Sequence, residues 1–174
     1  TRNRFFQRTS HPYYIVAPAF KQTSAGVRAL HYLCHLLNES GHEAYVSASP
    51  ENCSKHLRTP QLTPEVMQEH KASGVTPIAV YPEVVKGNPL GLNAVVRWVL
   101  NIPGHLGGDD SYPESDLIFH YSNIILDGII SDRLDMPLVD QRIFNEGNGE
   151  NHRKGFCYYA GKYLHFQHKI APEV

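Results

Sequence analysis

Thr23, Ser24, Gly26 and Arg28 fall within six residues: two hydroxyls, a backbone bare of side chain, and a cation about one helical turn on. That set suits an anion. A helix starting there would offer unpaired N–H groups and roughly half a positive charge to a phosphate. The competing reading is that Ser24 caps the helix, Gly26 packs against a sheet and Arg28 is solvated. The loop has one glycine, so neither the Gly-x-Gly-x-x-Gly dinucleotide fingerprint nor the Gly-Lys-[Ser/Thr] of a P-loop is present. His120 ends a strand-like run and is a candidate base or donor to a substrate hydroxyl; the alternative is a ring satisfied by neighbouring backbone. His105 stands beside Gly107-Gly108-Asp109-Asp110, in a loop able to touch a ligand.

Other chemistries lack their residues. His31, Cys34 and His35 have a suggestive spacing, but Cys34 belongs to an apolar helical stripe and the histidines to its polar flank. The Glu of His-Glu-x-x-His is missing, so the expectation is an inert buried thiol and no metal. There is no Asp-x-Asp pair for a metal-bound diphosphate and no Gly-x-Ser-x-Gly nucleophile elbow.

The elements that must position these groups follow from periodicity. Residues 13–18 are apolar, aromatic and β-branched, hence a buried strand. Val27, Leu30, Leu33, Cys34 and Leu37 gather on one face of a helix over 27–38, which Ser40-Gly41-His42 stops. A strand over 43–48 completes a βαβ unit. Residues 49–63 read as irregular. Thr63 then caps a helix opening at Pro64 and ending by Gly74, before a strand over 76–81. Leu92, Val95, Val96, Val99 and Leu100 recur at i, i+3, i+4, i+7 and i+8, which predicts an amphipathic helix. Strands are expected at 116–121, 124–126 and 136–139. The fold class is α/β: a Rossmann-like open, mostly parallel sheet with helices on both faces.

With 174 residues, 41% hydrophobic and 19% charged, the chain is long enough for one domain with its own core. A net charge of −1 argues against a nucleic-acid binder. No apolar run approaches the roughly 20 residues that span a bilayer. Three scattered cysteines fit a reducing compartment, so the expected location is cytoplasmic. Thr1 to Phe6 lack both an initiator Met and a signal core, and we read the chain as an excised piece. Residues 1–144 form the expected first domain. The polar, glycine-bearing stretch 145–155 reads as an interdomain linker, and 156–174 as the first strand and turn of a truncated second domain.

The segment from Ala17-Pro18 through Val46, with its Ser24-Ala25-Gly26 loop and the Gly41-His42-Glu43 before the second strand, resembles the opening of a GT-B glycosyltransferase of the family 4-like group. "NAVVRWVLNIPG" (93–104), "PLVDQRIFN" (137–145) and "KGFCYYAGKY" (154–163) are similar, in the same order, to later segments of such enzymes. The resemblance implies the acceptor-side N-terminal domain of an enzyme that moves a sugar from a nucleotide-sugar donor to a saccharide or lipid-linked acceptor in surface-polysaccharide synthesis. It implies no tightly bound cofactor and no metal, a missing C-terminal donor domain, and a piece inactive alone. It also places the protein in the cytoplasm, with attachment at the inner membrane face as a variant. On this resemblance His120 would contact the donor sugar, while Thr23, Ser24, Gly26, Arg28 and His105 would bind substrate. The orphan strand 156–160 offers an edge for a dimer. Two other readings compete: a non-catalytic flavodoxin-like binding or regulatory module, and a nucleotide-sugar-modifying Rossmann enzyme, which the missing glycine triad disfavours.

Overall fold

The computed structural model describes residues 11–122 and 131–136, together with Leu138 and Gly147. All of these but Gly147 belong to the first of two compact units, Thr1–Leu138 and Val139–Val174. In chain order the elements are β1 (Tyr13–Ile15), α1 (Ala25–Glu39), β2 (Ala44–Val46), α2 (Pro64–Ala72), β3 (Ile78–Pro82), β4 (Ala94–Val99), β5 (Leu117–His120) and β6 (Asp132–Arg133). The strands form one six-stranded sheet in the order β2-β1-β3-β4-β5-β6. Every pairing is parallel. This is a Rossmann-like α/β sheet, as the sequence predicts. None of the helices among the described residues is long and apolar enough to cross a membrane.

Alternation along the strands separates the two faces. Ile15, Val46, Val80 and Trp98 pack on one side with Ala29, Leu30 and Cys34 of α1. Asn38 ties that helix to β2: its Nδ2 donates to the carbonyls of Cys34 (2.9 Å) and Ala44 (2.8 Å). Tyr14 points to the other side, where α2 docks through His70, the one buried residue among those of this helix. His70 Nε2 donates to the Glu43 carboxylate at 3.0 Å, so its Nδ1 accepts from the Tyr14 hydroxyl at 2.6 Å. Thr63 caps α2 as expected, its hydroxyl accepting from Val66 N at 3.3 Å.

One predicted helix is a strand. Residues 94–99 form β4, paired to β3 through Val96↔Val80 and to β5 through Val96↔Leu117. A central strand is apolar on both faces, so its spacing satisfies a helical template equally well. Val96 and Trp98 turn toward α1 while Val95 joins Ala79 and Tyr81 opposite. The density of valine with a tryptophan is the local signal for extended backbone. A second correction concerns 136–139: Met136 and Leu138 are not in a strand, and the sixth strand is the earlier pair Asp132–Arg133. The region 49–63 includes a short 3-10 turn, Pro50–Asn52, and a bridge from Gln61 to Val46. The strand expected at 124–126 and that at 156–161 lie outside the described residues, as does the linker apart from Gly147.

No helix joins β3 to β4 or β4 to β5. Loops cover that face instead, and Arg97 holds them. Its Nε donates to Asp116 Oδ2 at 2.8 Å, Nη1 to Val85 O at 3.3 Å and Nη2 to Gly87 O at 2.6 Å. The guanidinium carbon lies 4.9 Å from the Tyr81 ring centroid and 5.3 Å from that of Tyr112. The side chains of Arg97 and Asp116 are only 1% and 6% exposed, so neither charge has water to fall back on. Removing one partner from such a pair strands the other, whereas apolar replacement of both removes the desolvation cost too. Accordingly, Arg97→Ala should lower stability in urea unfolding by about 3–5 kcal/mol. The double variant Arg97→Met/Asp116→Leu should recover most of that loss. A double variant as unstable as the single one would show that the pair has another role.

Candidate functional site

The strand order reverses between β1 and β3, since β2 lies on one side of β1 and β3 to β6 on the other. Ligands of open parallel sheets sit beyond the carboxyl ends of the strands at such a point. Here α1 begins. Ser24 occupies the N-cap position with φ −108° and ψ 111°, yet its side chain makes no capping bond, and the first turn holds no acid. The competing reading, in which Ser24 caps the helix, therefore fails, and the amino end of α1 keeps its positive character. Gly26 does pack: a Cβ there would lie 3.5 Å from Leu100 Cδ1, an ordinary contact just past β4.

The loop leading to this tip is pinned at several points. Ala17 N donates to Ser47 Oγ, and that hydroxyl donates to Ala17 O, both at 3.0 Å. Phe20 N donates to Asn52 O at 2.6 Å. His31 corrects the sequence reading: it is fully buried rather than on a polar flank, and its Nε2 donates to Pro18 O at 2.9 Å. Nδ1 is then a bare acceptor, buried with no partner among the described residues. Cys34 lies in the core as expected, and burial pushes its thiol up to about 12. His35 Nδ1 accepts from Arg58 N at 3.0 Å. Each of the three is thus part of the scaffold. No group of three or more His, Cys, Asp or Glu among the described residues is arranged to hold a metal ion.

Thr23 is exposed in the turn that Ser24 N closes on Lys21 O at 3.0 Å. Arg28 is partly buried. Its Nη1 donates to Leu138 O at 3.2 Å, and its Nε has no partner among the described residues. His120, at the end of β5, has Nδ1 2.9 Å from Ser131 Oγ, so a side chain satisfies it rather than the backbone. Arg28 and His120 thus have partners at Leu138 and Ser131, respectively. His105 is exposed on a separate loop, its N–H donating to Ile102 O at 3.2 Å. That loop folds back on β3: a Cβ on Gly108, whose φ is +82°, would collide with Glu83 O at 1.9 Å.

Sequence reasoning passed over Glu83, Tyr121 and Trp98. Glu83 is buried at the carboxyl end of β3, where its Oε2 accepts from Leu100 N at 3.0 Å. The Tyr112 hydroxyl is pushed up to about 12, first by burial and then by the Glu83 charge. A carboxylate closing an apolar strand was the available signal for Glu83. On the opposite face, Asn88, Asn93, Arg97, Asp109, Ser115 and Asp116 help line a cleft of about 370 Å³, which none of the predicted site residues reaches. No family model, no curated protein and no solved structure matches the chain.

The burial of His31 sets a pH dependence. Desolvation lowers its pKa below 6.5, more than the Pro18 carbonyl raises it. The folded state therefore binds this proton less readily than the unfolded state, and stability drains away as pH falls below about 6.5 through the depressed value. Urea unfolding between pH 5 and 7.5 should give a flatter stability profile for His31→Phe than for the parent chain. Parallel profiles would remove His31 as a source of acid sensitivity.

Proposed function

We propose that the chain is the acceptor-side domain of a glycosyltransferase that moves a hexosyl group from a nucleotide sugar to a saccharide or lipid-linked acceptor, in cytoplasmic assembly of a surface polysaccharide. The observation that carries this reading is the uncapped amino end of α1 at the strand-order reversal, with Arg28 one turn in. The reaction's difficulty lies in the leaving group, because a nucleoside diphosphate departs as an anion. Fixed N–H dipoles and a cation aimed at that charge lower the barrier without reorganising at the moment of transfer. Thr23 and Ser24 would hydrogen-bond phosphate oxygens, and Gly26 would leave the backbone open to them. His120 would meet the donor sugar from β5, and His105 would touch ligand from the β4–β5 loop. A second domain would hold most of the nucleotide.

A second reading, a flavodoxin-like module without catalysis, is favoured by one specific observation. Arg28 Nη1 and His120 Nδ1 both have partners within the chain itself. Nucleoside diphosphate release separates the two. The complete polypeptide, offered UDP-, GDP- and dTDP-sugars with a saccharide acceptor, should release diphosphate from one of them, and Arg28→Ala should slow that release by about 10²-fold. Absence of release from every donor would favour the module.

A further inference from the structure

The loops that stand where crossover helices would sit leave a cleft between them. One joins β3 to β4 and the other β4 to β5, and the cleft they border over β4 has a volume of about 370 Å³. That is near the lower end for small-molecule sites, room for a ligand the size of one sugar ring. Its walls are fixed before any ligand arrives. Arg97 holds the carbonyls of Val85 and Gly87, and Gly87 N donates to Asp109 Oδ2 at 2.6 Å. Asn88 Oδ1 accepts from the Tyr81 hydroxyl at 2.8 Å, while its Nδ2 donates to Leu92 O at 2.7 Å. Walls ordered in this way lose little further freedom on binding.

Polar capacity is left over in the lining. The Asp116 side chain is only 6% exposed, and Arg97 takes its Oδ2. Its Oδ1 meets only Ser115 Oγ, at 3.5 Å, among the described residues. The Asn93 amide, also in the lining, makes no hydrogen bond with another described residue. Arg97 spends one N–H from each of its nitrogens, and the second N–H on each terminal nitrogen has no described hydrogen-bond partner. The cleft therefore offers acceptors and donors side by side, next to the apolar surface of Leu92, Val95 and Pro113. A small anion there would face Asp109 and Asp116, and a small cation would face the guanidinium. A hydroxyl group both donates and accepts. Adjacent hydroxyls on a ring with apolar C–H faces match every part of this lining.

We propose that this cleft binds a neutral polyhydroxylated ring, a monosaccharide or one residue of a saccharide chain. Asp116 and Asp109 accept from its hydroxyls, Asn93 donates to them, and the C–H face lies on Leu92 and Pro113. The site owes nothing to the α1 tip, since α1 packs on the other face of the sheet.

Two-dimensional amide NMR of the full chain tests this, with glucose, galactose, mannose and N-acetylglucosamine as probes. Glycerol represents an acyclic polyol, putrescine a cation and inorganic phosphate an anion. At least one sugar should give saturable shifts confined to residues 87–93 and 109–116, with a Kd on the order of 1 mM for so small a ligand. Asn93→Ala, at an exposed position, should weaken binding about three- to tenfold and leave the urea unfolding midpoint unchanged. Ser115→Trp, which sets a large ring at the exposed rim, should abolish the shifts. No saturable shift with any of these sugars would overturn the proposal, as would equal affinity in the parent chain and Asn93→Ala. Putrescine or phosphate binding more tightly at the same residues would overturn it in favour of a charged ligand. Glycerol binding as tightly as the sugars would overturn the assignment to a ring.

Discussion

A guanidinium in the place of a helix organises the β3–β5 part of this sheet. Parallel strands need both faces covered, because each residue of a central strand presents a side chain to one face or the other. On one face α1 does this. On the other, α2 docks at Tyr14 of β1, but the connections from β3 to β4 and from β4 to β5 are irregular, and their own backbone bonds leave carbonyls in need of partners. Arg97 supplies what a helix would have supplied internally. It donates to the carbonyls of Val85 and Gly87, neutralises Asp116 at the entry to β5, and lies against the rings of Tyr81 and Tyr112. Loops can therefore lie flat on the sheet, leaving the cleft beside them.

The carboxyl edge is organised differently. Around the α1 tip the chain is pinned by short bonds at Ala17, Pro18 and Phe20, while the N–H groups of the helix end lack a side-chain cap. A rigid loop beside a bare helix end is a preorganised arrangement, since its donors need no rearrangement to meet an anion. The groups that would act with it, Arg28 and His120, are instead engaged by Ser131 and Leu138.

Much of the first half of the fold was legible. The stripe of Val27, Leu30, Leu33, Cys34 and Leu37 marks α1, although the helix starts two residues earlier, at Ala25, than the stripe does. Thr63 and Pro64 mark the start of α2. The position of the candidate site was legible in part: Ser24, Gly26 and Arg28 stand where the strand order reverses. What spacing could not show was that Ser24 leaves the helix uncapped, or that Arg28 reaches a carbonyl 110 residues away. His31 was misplaced for a related reason. An angle on a helical wheel says which way a side chain leaves the axis, but not that Pro18 O waits for it there.

Features set by a few neighbouring residues could be read from the chain alone. Apolar period, a hydroxyl before a proline and a glycine at positive φ all act within one or two turns. The identity of β4 could not, because Val95, Val96, Trp98 and Val99 suit either a helix or a strand until β3 and β5 are in place on its two sides. Nor could the charge of Arg97 be read as buried, since its acceptors Val85, Gly87 and Asp116 come from both sides of it in sequence. Those choices belong to contacts between distant segments, where burial removes water and only a particular partner can replace it.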